Sequence, residues 1–232
     1  MPDSDIPSDV VFTPTVKALQ QAHGSRHAYA RMEQGRGWQT GITDEVRGFI
    51  EAQTTLFMAT ANLDGQPYMQ HRGGPPGFLH VLDEHTLAFA DFTGNRQFVS
   101  TGNLQDNPKA QLFLMDYAHR QRLKIWGEAR VETDPDFVAR LMPPGYKARA
   151  EQAIVFTVKA WDANCPQHIP QLVPVDEVVP AIAERDRRIA ELEEALARLK
   201  TEGLTPNASR GSASGIACGY AGDARHIEFR VS

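Results

Sequence analysis

The sequence predicts a mainly β, α+β protein built on an antiparallel sheet. Seven segments have the two-residue period or the dense β-branched and apolar character of strands, and short turns of hairpin length join most of them. No Gly-x-Gly-x-x-Gly fingerprint follows any strand segment. Hairpin connections favour an antiparallel barrel or sandwich over a parallel Rossmann sheet, whose strands need long crossovers.

Thr13-Pro14 reads as a helix start, with Pro at the first helical position, and Val16 and Leu19 make the segment through Gln21 a short peripheral helix. Residues 26–37 are polar and basic and end in a Gly-Arg-Gly-Trp turn. Thr43 caps Asp44 to Ala52, where Val46, Phe49 and Ile50 fall at i, i+3, i+4 on one face. Thr54 to Ala61 is the first strand, Asn62-Leu63-Asp64-Gly65 turns, and Pro67 to Arg72 returns. Gly73-Gly74-Pro75-Pro76-Gly77 breaks the chain before a second hairpin, Phe78 to Leu82 and Thr86 to Asp91.

Arg96 to Gln105 is expected to be a short helix with Phe98 and Val99 inward. Lys109 to Tyr117 and Gln121 to Glu132 form a third hairpin, and Pro135 to Met142 a helix opening on Pro135. Ala153 to Ala160 is the last strand, followed by a loop, Trp161 to His168. After Pro180 a long helix carries Ile182, Ile189, Leu192, Leu196 and Leu199 at spacings 7, 3, 4, 3. Such a seam packs on its own barrel or pairs across a dimer. From Thr201 the composition shifts to Gly, Ala and Ser, the character of a mobile tail with at most a short strand at Ile227 to Val231. The expected organisation is a helical extension over 1–53, a barrel over 54–172, a helix over 173–200 and a tail over 201–232.

At 232 residues, with 41% hydrophobic content, the chain can bury a sizeable core. Its net charge of −5, with no strongly basic block, argues against a nucleic-acid binder and for small molecules or other protein chains as partners. The acidic amino terminus is followed by no apolar run of signal-peptide length, and no stretch of about 18 apolar residues occurs. A cytoplasmic protein without a membrane span is expected, in which the Asn207-Ala208-Ser209 sequon carries no meaning. The two cysteines, Cys165 and Cys218, are too few for a disulfide framework.

The chemistry concentrates between Ala90 and Gly127. A strand-to-helix turn carrying Thr93, Asn95, Arg96 and Gln97 offers hydroxyl, amide and guanidinium donors where a helix begins, the requirement of a phosphate site. A capped, solvated turn is the plainer alternative. Gln70, His71 and Arg72 add donors beside Gly73-Gly74, where backbone can approach a ligand closely. Cys165 and His168 make half a metal site, and no second pair stands out. His23 and His27 read as a solvated helix end, and Arg185, Arg187 and Arg188, alternating with Glu184, Asp186 and Glu191, as a salt-bridged surface.

Phe92-Thr93-Gly94-Asn95-Arg96-Gln97, then Asn107-Pro108, Gln111-Leu-Phe-Leu and the hairpin Arg120-Gln121-Arg122…Gly127, resembles the flavin mononucleotide (FMN) segment of the pyridoxamine 5'-phosphate oxidase family. The likeness covers roughly residues 45 to 132. It implies a Greek-key split β-barrel with peripheral helices and a long C-terminal helix, a homodimer, and a flavin at the subunit interface. By resemblance, Thr93, Arg96 and Gln97 lie at the phosphate and Gln121 beside the ring. Asn95 and Gln97 stand where the family has Ser and Lys, which removes one positive charge that Arg72 could restore.

The segment Trp161 to His168 resembles a loop in a bacterial branch of related flavin proteins, which implies that Trp161, Cys165 and His168 wall the flavin pocket. The oxidase's carboxy-terminal Trp…Arg pattern, used on the substrate phosphate, is absent here, so the likeness supports the cofactor better than pyridoxamine phosphate oxidation. It implies hydride transfer through the flavin with a small-molecule substrate or a nicotinamide nucleotide. The alternatives are a non-catalytic flavin carrier or sensor, and a split barrel that uses F420 or haem.

Overall fold

The structure, a computed structural model, describes residues 6–35, 37–164, 167–201 and 203. They fall into two compact units, one reaching to Pro170 and one beginning at Gln171. The first is an antiparallel Greek-key split barrel of seven strands: β1 (Thr55–Ala61), β2 (Pro67–Gly73), β3 (Leu79–Asp83), β4 (Thr86–Phe92), β5 (Lys109–Asp116), β6 (Gln121–Glu132) and β7 (Ala150–Asn164). Their order in the sheet is β2-β1-β5-β6-β7-β4-β3. Hairpin β1–β2 joins through β1 to β5, and hairpin β3–β4 joins through β4 to β7, so β2 and β3 are the two edge strands.

The alternation legible in the sequence sets which face is buried. In β1, Leu56, Met58 and Thr60 are buried while the residues between them are half-exposed, and β5 repeats the pattern with Ala110, Leu112 and Leu114. Leu123 and Ile125 of β6, Phe156 of β7 and Phe89 of β4 complete the interior. Residues 87–91 of β4 are buried without alternation. The reason is a second apolar layer in which Val138 and Leu141 pack with Ala88, Ala90, Ala153 and Val155. Val138 belongs to α5 (Pro135–Arg140), which the Asp134 carboxylate caps by accepting from the N–H groups of Asp136 and Phe137.

Helices α1 (Pro14–Ala22) and α3 (Asp44–Glu51) lie where the sequence placed them. Thr43 Oγ1 accepts from Val46 N–H, and Val46, Phe49 and Ile50 are the buried face of α3. Three other elements differ from expectation. The polar segment after Ser25 is a helix, α2 (Arg26–Gln34), with no buried residue and hence no apolar period to betray it. Polar contacts hold it instead: Arg26 pairs with Glu33 and donates to Gln20 Oε1, and Ser8 donates to Glu33 Oε1.

Helix α4 (Val99–Asp106) starts later than expected, and Phe98 and Val99 are exposed rather than inward. Its rotation is set by polar contacts, because Asn103 donates to Thr60 Oγ1 and Ser100 to Gln70 Oε1, which turns Ser100, Asn103 and Leu104 inward. Strand β7 continues through residues 161–164, read above as loop, because their backbone pairs with Arg122 to Ile125 of β6.

The register between β6 and β7 shifts between Trp126 and Gly127. A Cβ on Gly127 would lie 2.0 Å from the Thr157 carbonyl oxygen, so the strands meet there only without a side chain. Residues ahead of α3 attach to the barrel through aromatic contacts. Trp38 stacks on Trp126 at 4.4 Å and 8°, Phe12 meets both Tyr29 and Trp38 at 5.3 Å, and Gln39 bridges Trp161.

In the second unit α6 (Val175–Thr201) begins ahead of Pro180, which stands inside it and removes a single i→i−4 bond. Asp176 and Glu177 in the first turn and Arg198 and Lys200 in the last complement the helix dipole. No residue of α6 is buried. Among the described residues no helix is long and apolar enough to cross a membrane, and no group of three or more His, Cys, Asp or Glu could hold a metal ion. The expected tail strand at Ile227 to Val231 lies outside the described residues.

Gly127→Ala is expected to lower the stability of the chain by about 3 kcal/mol, the upper part of the overpacking range, because the obstructing atom is backbone. A shifted urea midpoint would show it; an unchanged one would mean that the two strands can separate there without cost. The Arg26 hydrogen bond holds the Glu33 carboxyl below the usual carboxylate range. Its folded-state pKa is thus depressed, so its contribution is present at neutral pH and lost as pH falls below about 4.3 and through the folded value. Glu33→Gln should therefore be less stable than the parent at pH 7, with the difference in denaturation midpoint shrinking towards pH 3.

Candidate functional site

The turn entering α4 is strained. Arg96 and Phe98 both have left-handed backbone, φ 59° and 55°, on either side of Gln97. For bulky side chains each costs on the order of 1–3 kcal/mol and persists only where the surroundings impose it. Phe98 is the N-cap residue and supplies no side-chain acceptor, so the first N–H groups of α4 have no cap from it. Asn95 Oδ1 accepts from Gln97 N–H, and the exposed Arg96 guanidinium sits 5.5 Å over the Phe98 ring with its Nε 3.7 Å from Glu151.

A narrow cleft of about 50 Å³ opens at this turn. It is lined by Tyr68, Gln70 and Arg72 of β2, by Asp91 and Phe92, by residues 94–101, and by Glu151 and Gln152 of β7. A larger cleft of about 580 Å³ adjoins it, lined by Thr54, residues 71–75, Phe78, residues 89–92 and Tyr146. Arg72, Asp91 and Phe92 line both. Arg72 Nη2 lies 3.1 Å from Asp91 Oδ1, with the side chains 16% and 11% exposed. Gln152 Nε2 donates to Asp91 Oδ2 at 2.9 Å and to Thr101 Oγ1 at 3.0 Å. Both Asp91 oxygens are thereby engaged, whereas Arg72 Nε is buried with no hydrogen-bond partner. It is a donor available to an acceptor entering the cleft.

Of the residues singled out in the sequence, Gln70, Arg72, Asn95, Arg96 and Gln97 converge on the narrow cleft, and His71 and Gly73 line the larger one. Thr93 lines neither; its hydroxyl and its N–H both donate to the Arg149 carbonyl. Gln121 and His168 also line neither cleft, and His168 is exposed with φ 63°. Trp161 donates from Nε1 to the Gly41 carbonyl at 2.9 Å and anchors the segment before α3. Cys165 lies outside the described residues. The small size of the Gly73-Gly74 pair serves packing, since a Cβ on Gly74 would lie 2.6 Å from Phe78 Cβ and one on Gly73 3.0 Å from the Thr54 carbonyl oxygen.

Sequence reading missed Asp91, Ser100, Thr101, Glu151 and Gln152. Asp91 reads as an ordinary strand end, and Gln152 stands 61 residues from it along the chain, so nothing local joins them.

The seven-stranded antiparallel sheet with its peripheral helices and long C-terminal helix defines the class as a mainly β split barrel. A family model described as pyridoxamine 5'-phosphate oxidase matches residues 42–165, more than half of the 232-residue chain, and the chain belongs to that family. No curated protein matches it.

Many solved structures are similar, three of them as follows. HupZ from Group A Streptococcus is 17% identical and covers 57% of this chain and 99% of its own, at a TM-score of 0.43. An FMN-binding protein from Syntrophomonas wolfei is 10% identical, covering 62% and 97%, also at 0.43. The haem storage protein HutZ from Vibrio cholerae is 15% identical, covering 52% and 90%, at 0.36. Family membership rests on the matched residues and not on these distant likenesses.

Asp91→Ala would leave the mostly buried Arg72 without its counter-charge and is expected to cost about 3 kcal/mol, whereas the apolar pair Arg72→Met/Asp91→Leu should recover most of that loss. Urea denaturation of the single and double variants decides it; equal losses would mean that the two charges do not act as a pair.

Proposed function

We propose that the chain is an FMN-binding oxidoreductase that works as a homodimer with flavin at the subunit interface. The observation that carries this is the convergence of an uncapped helix start, Arg96 and a buried, unpartnered Arg72 Nε on one cleft. Family membership over residues 42–165 supports it.

The donor set fits a flavin phosphate. Asn95, Arg96, Gln97 and the first turn of α4 would hold the phosphate through N–H and guanidinium groups, with the helix dipole favouring the anion. Two carboxylates, Asp91 and Glu151, also line the cleft and oppose an anion. Asp91 is occupied by Arg72 and Gln152, and the pairing of Glu151 with Arg96 is loose and exposed, so Arg96 can turn to a phosphate at little cost. Gln70, His71 and Arg72 would offer donors to the polar edge of the ring. FMN bound there would supply hydride exchange at N5, with a nicotinamide nucleotide or dioxygen completing the cycle. The chain's own residues bind and orient the cofactor and exclude water, and none is needed as a covalent nucleophile.

A second copy has a surface to meet. The outward face of β1, β2 and β5 carries Phe113, Phe57 and His71 in one row across the strands, with Met69, 64% exposed, opposite Ala59 on the same face. Gln121, Trp161 and His168, which line neither cleft within one chain, would be contributed by the partner, and so would Cys165.

Mass and absorbance of the ligand released from purified protein test the cofactor: FMN is expected, and a deazaflavin, haem or colourless protein from a flavin-replete host would overturn it. Arg96→Ala should weaken FMN binding by roughly 1.5 to 3 kcal/mol, the scale of a hydrogen bond to a charged group, in a fluorescence titration. Anaerobic bleaching of the flavin by NADH or NADPH would mark an enzyme; bound flavin that no donor or substrate panel reduces would mark a carrier or sensor.

A further inference from the structure

We propose that α6 pairs with α6 of a second copy as a parallel, in-register, two-stranded coiled coil. The proposal stands on α6 alone, so its failure would leave the flavin site untouched.

The exposed apolar residues of α6 repeat with the heptad. Taking Val175 as position a places Val175, Ile182, Ile189 and Leu196 at a, and Val178, Leu192 and Leu199 at d, all of them 36 to 75% exposed. Such a seam is satisfied by a helix with the same period. β-branched residues at three of the four a positions, with Leu at the last two d positions, favour two parallel strands.

The charges favour the same partner. The outward positions satisfy one another along the helix: Arg187 pairs with Glu184 and Glu191, and Arg198 with Glu194, while Arg188, at position g, shares Glu191 with Arg187, so that one carboxylate serves two guanidinium groups. Glu193, at position e, has no ion pair among the described residues, unlike Glu184, Asp186, Glu191 and Glu194. In a parallel pair, position g of one heptad faces position e of the partner's next heptad, which sets Arg188 against Glu193 of the second copy, twice by symmetry.

An antiparallel pair sets g against g and e against e. That brings together like charges, Arg188 with itself or Asp186 with Glu193. In the register that rescues Asp186 with Lys200, it sets Glu193 against itself. One d position is polar, Arg185, which lies 3.3 Å from Asp186 at the neighbouring e position. A single polar layer of this kind fixes register at some cost in stability.

The test uses the full chain with Cys165→Ser and Cys218→Ser, to which one cysteine is returned. Equivalent d residues approach within disulfide range, about 7 Å between Cα atoms, only in a parallel, in-register pair. Under an added disulfide-forming oxidant, Leu192→Cys should cross-link between chains at least tenfold faster than the outward-facing Arg187→Cys, as read on non-reducing gels. Adding Arg188→Glu to Leu192→Cys should slow cross-linking about threefold to tenfold, the effect of losing two exposed pairs and gaining repulsion, and adding Glu193→Arg as well should restore it. Equal rates for the two cysteine positions would overturn the seam, and a charge swap that restores nothing would overturn the parallel orientation. Circular dichroism of each variant at the same concentration separates loss of pairing from loss of the helix itself.

Discussion

The ion pair between Arg72 and Asp91 ties together the two ends of the sheet. Arg72 belongs to β2, the first strand in the order, and Asp91 to β4, the last but one, and no backbone hydrogen bond joins those strands. A curled antiparallel sheet brings such ends near each other, but its twist leaves them splayed, and a mostly buried charge pair makes one geometry preferable to the rest. Gln152 then fixes the second Asp91 oxygen and reaches Thr101, while Ser100 reaches back to Gln70. Side chains thereby tie β2 and α4 to the backbone-paired strands β4 and β7.

That network explains how the strained turn before α4 persists. Left-handed backbone at Arg96 and Phe98 costs free energy that the turn itself does not recover. Ser100, Thr101 and Asn103 anchor the helix just beyond it, the last through Thr60 in the core, so the turn must adopt whatever conformation joins β4 to a helix fixed in place. The result is a helix start that its N-cap residue, Phe98, does not cap, at a cleft that β2 also lines. Strain, missing cap and a buried unpartnered guanidinium nitrogen occur together, as they do where structure is held ready for a ligand.

Trp161 illustrates how one residue can carry different meanings in one chain and in an assembly. The resemblance assigns it to the flavin wall, and within one chain its indole N–H is committed to Gly41 while its backbone pairs with Gln39. Together with the Trp38–Trp126 stack it fastens the residues before α3 to the barrel.

By itself, the sequence determined what depends on near neighbours. The seven strands follow from alternation and turn residues, α3 from the Thr43 cap and its i, i+3, i+4 face, and the donor-rich turn at 93–97 from its composition, since each rests on contacts within a few residues. The tertiary structure decided what depends on partners far along the chain. Helix α2 has no apolar face and exists through Arg26–Glu33 and its contacts to Ser8 and Gln20; β7 runs on through 161–164 because β6 has backbone groups to pair there. The rotation of α4 answers to Thr60 and Gln70, and Asp91 and Gln152 join the site across 61 residues of chain. Periodicity reports which face of an element is apolar, whereas the partner of a buried polar group is chosen by the fold that brings it near.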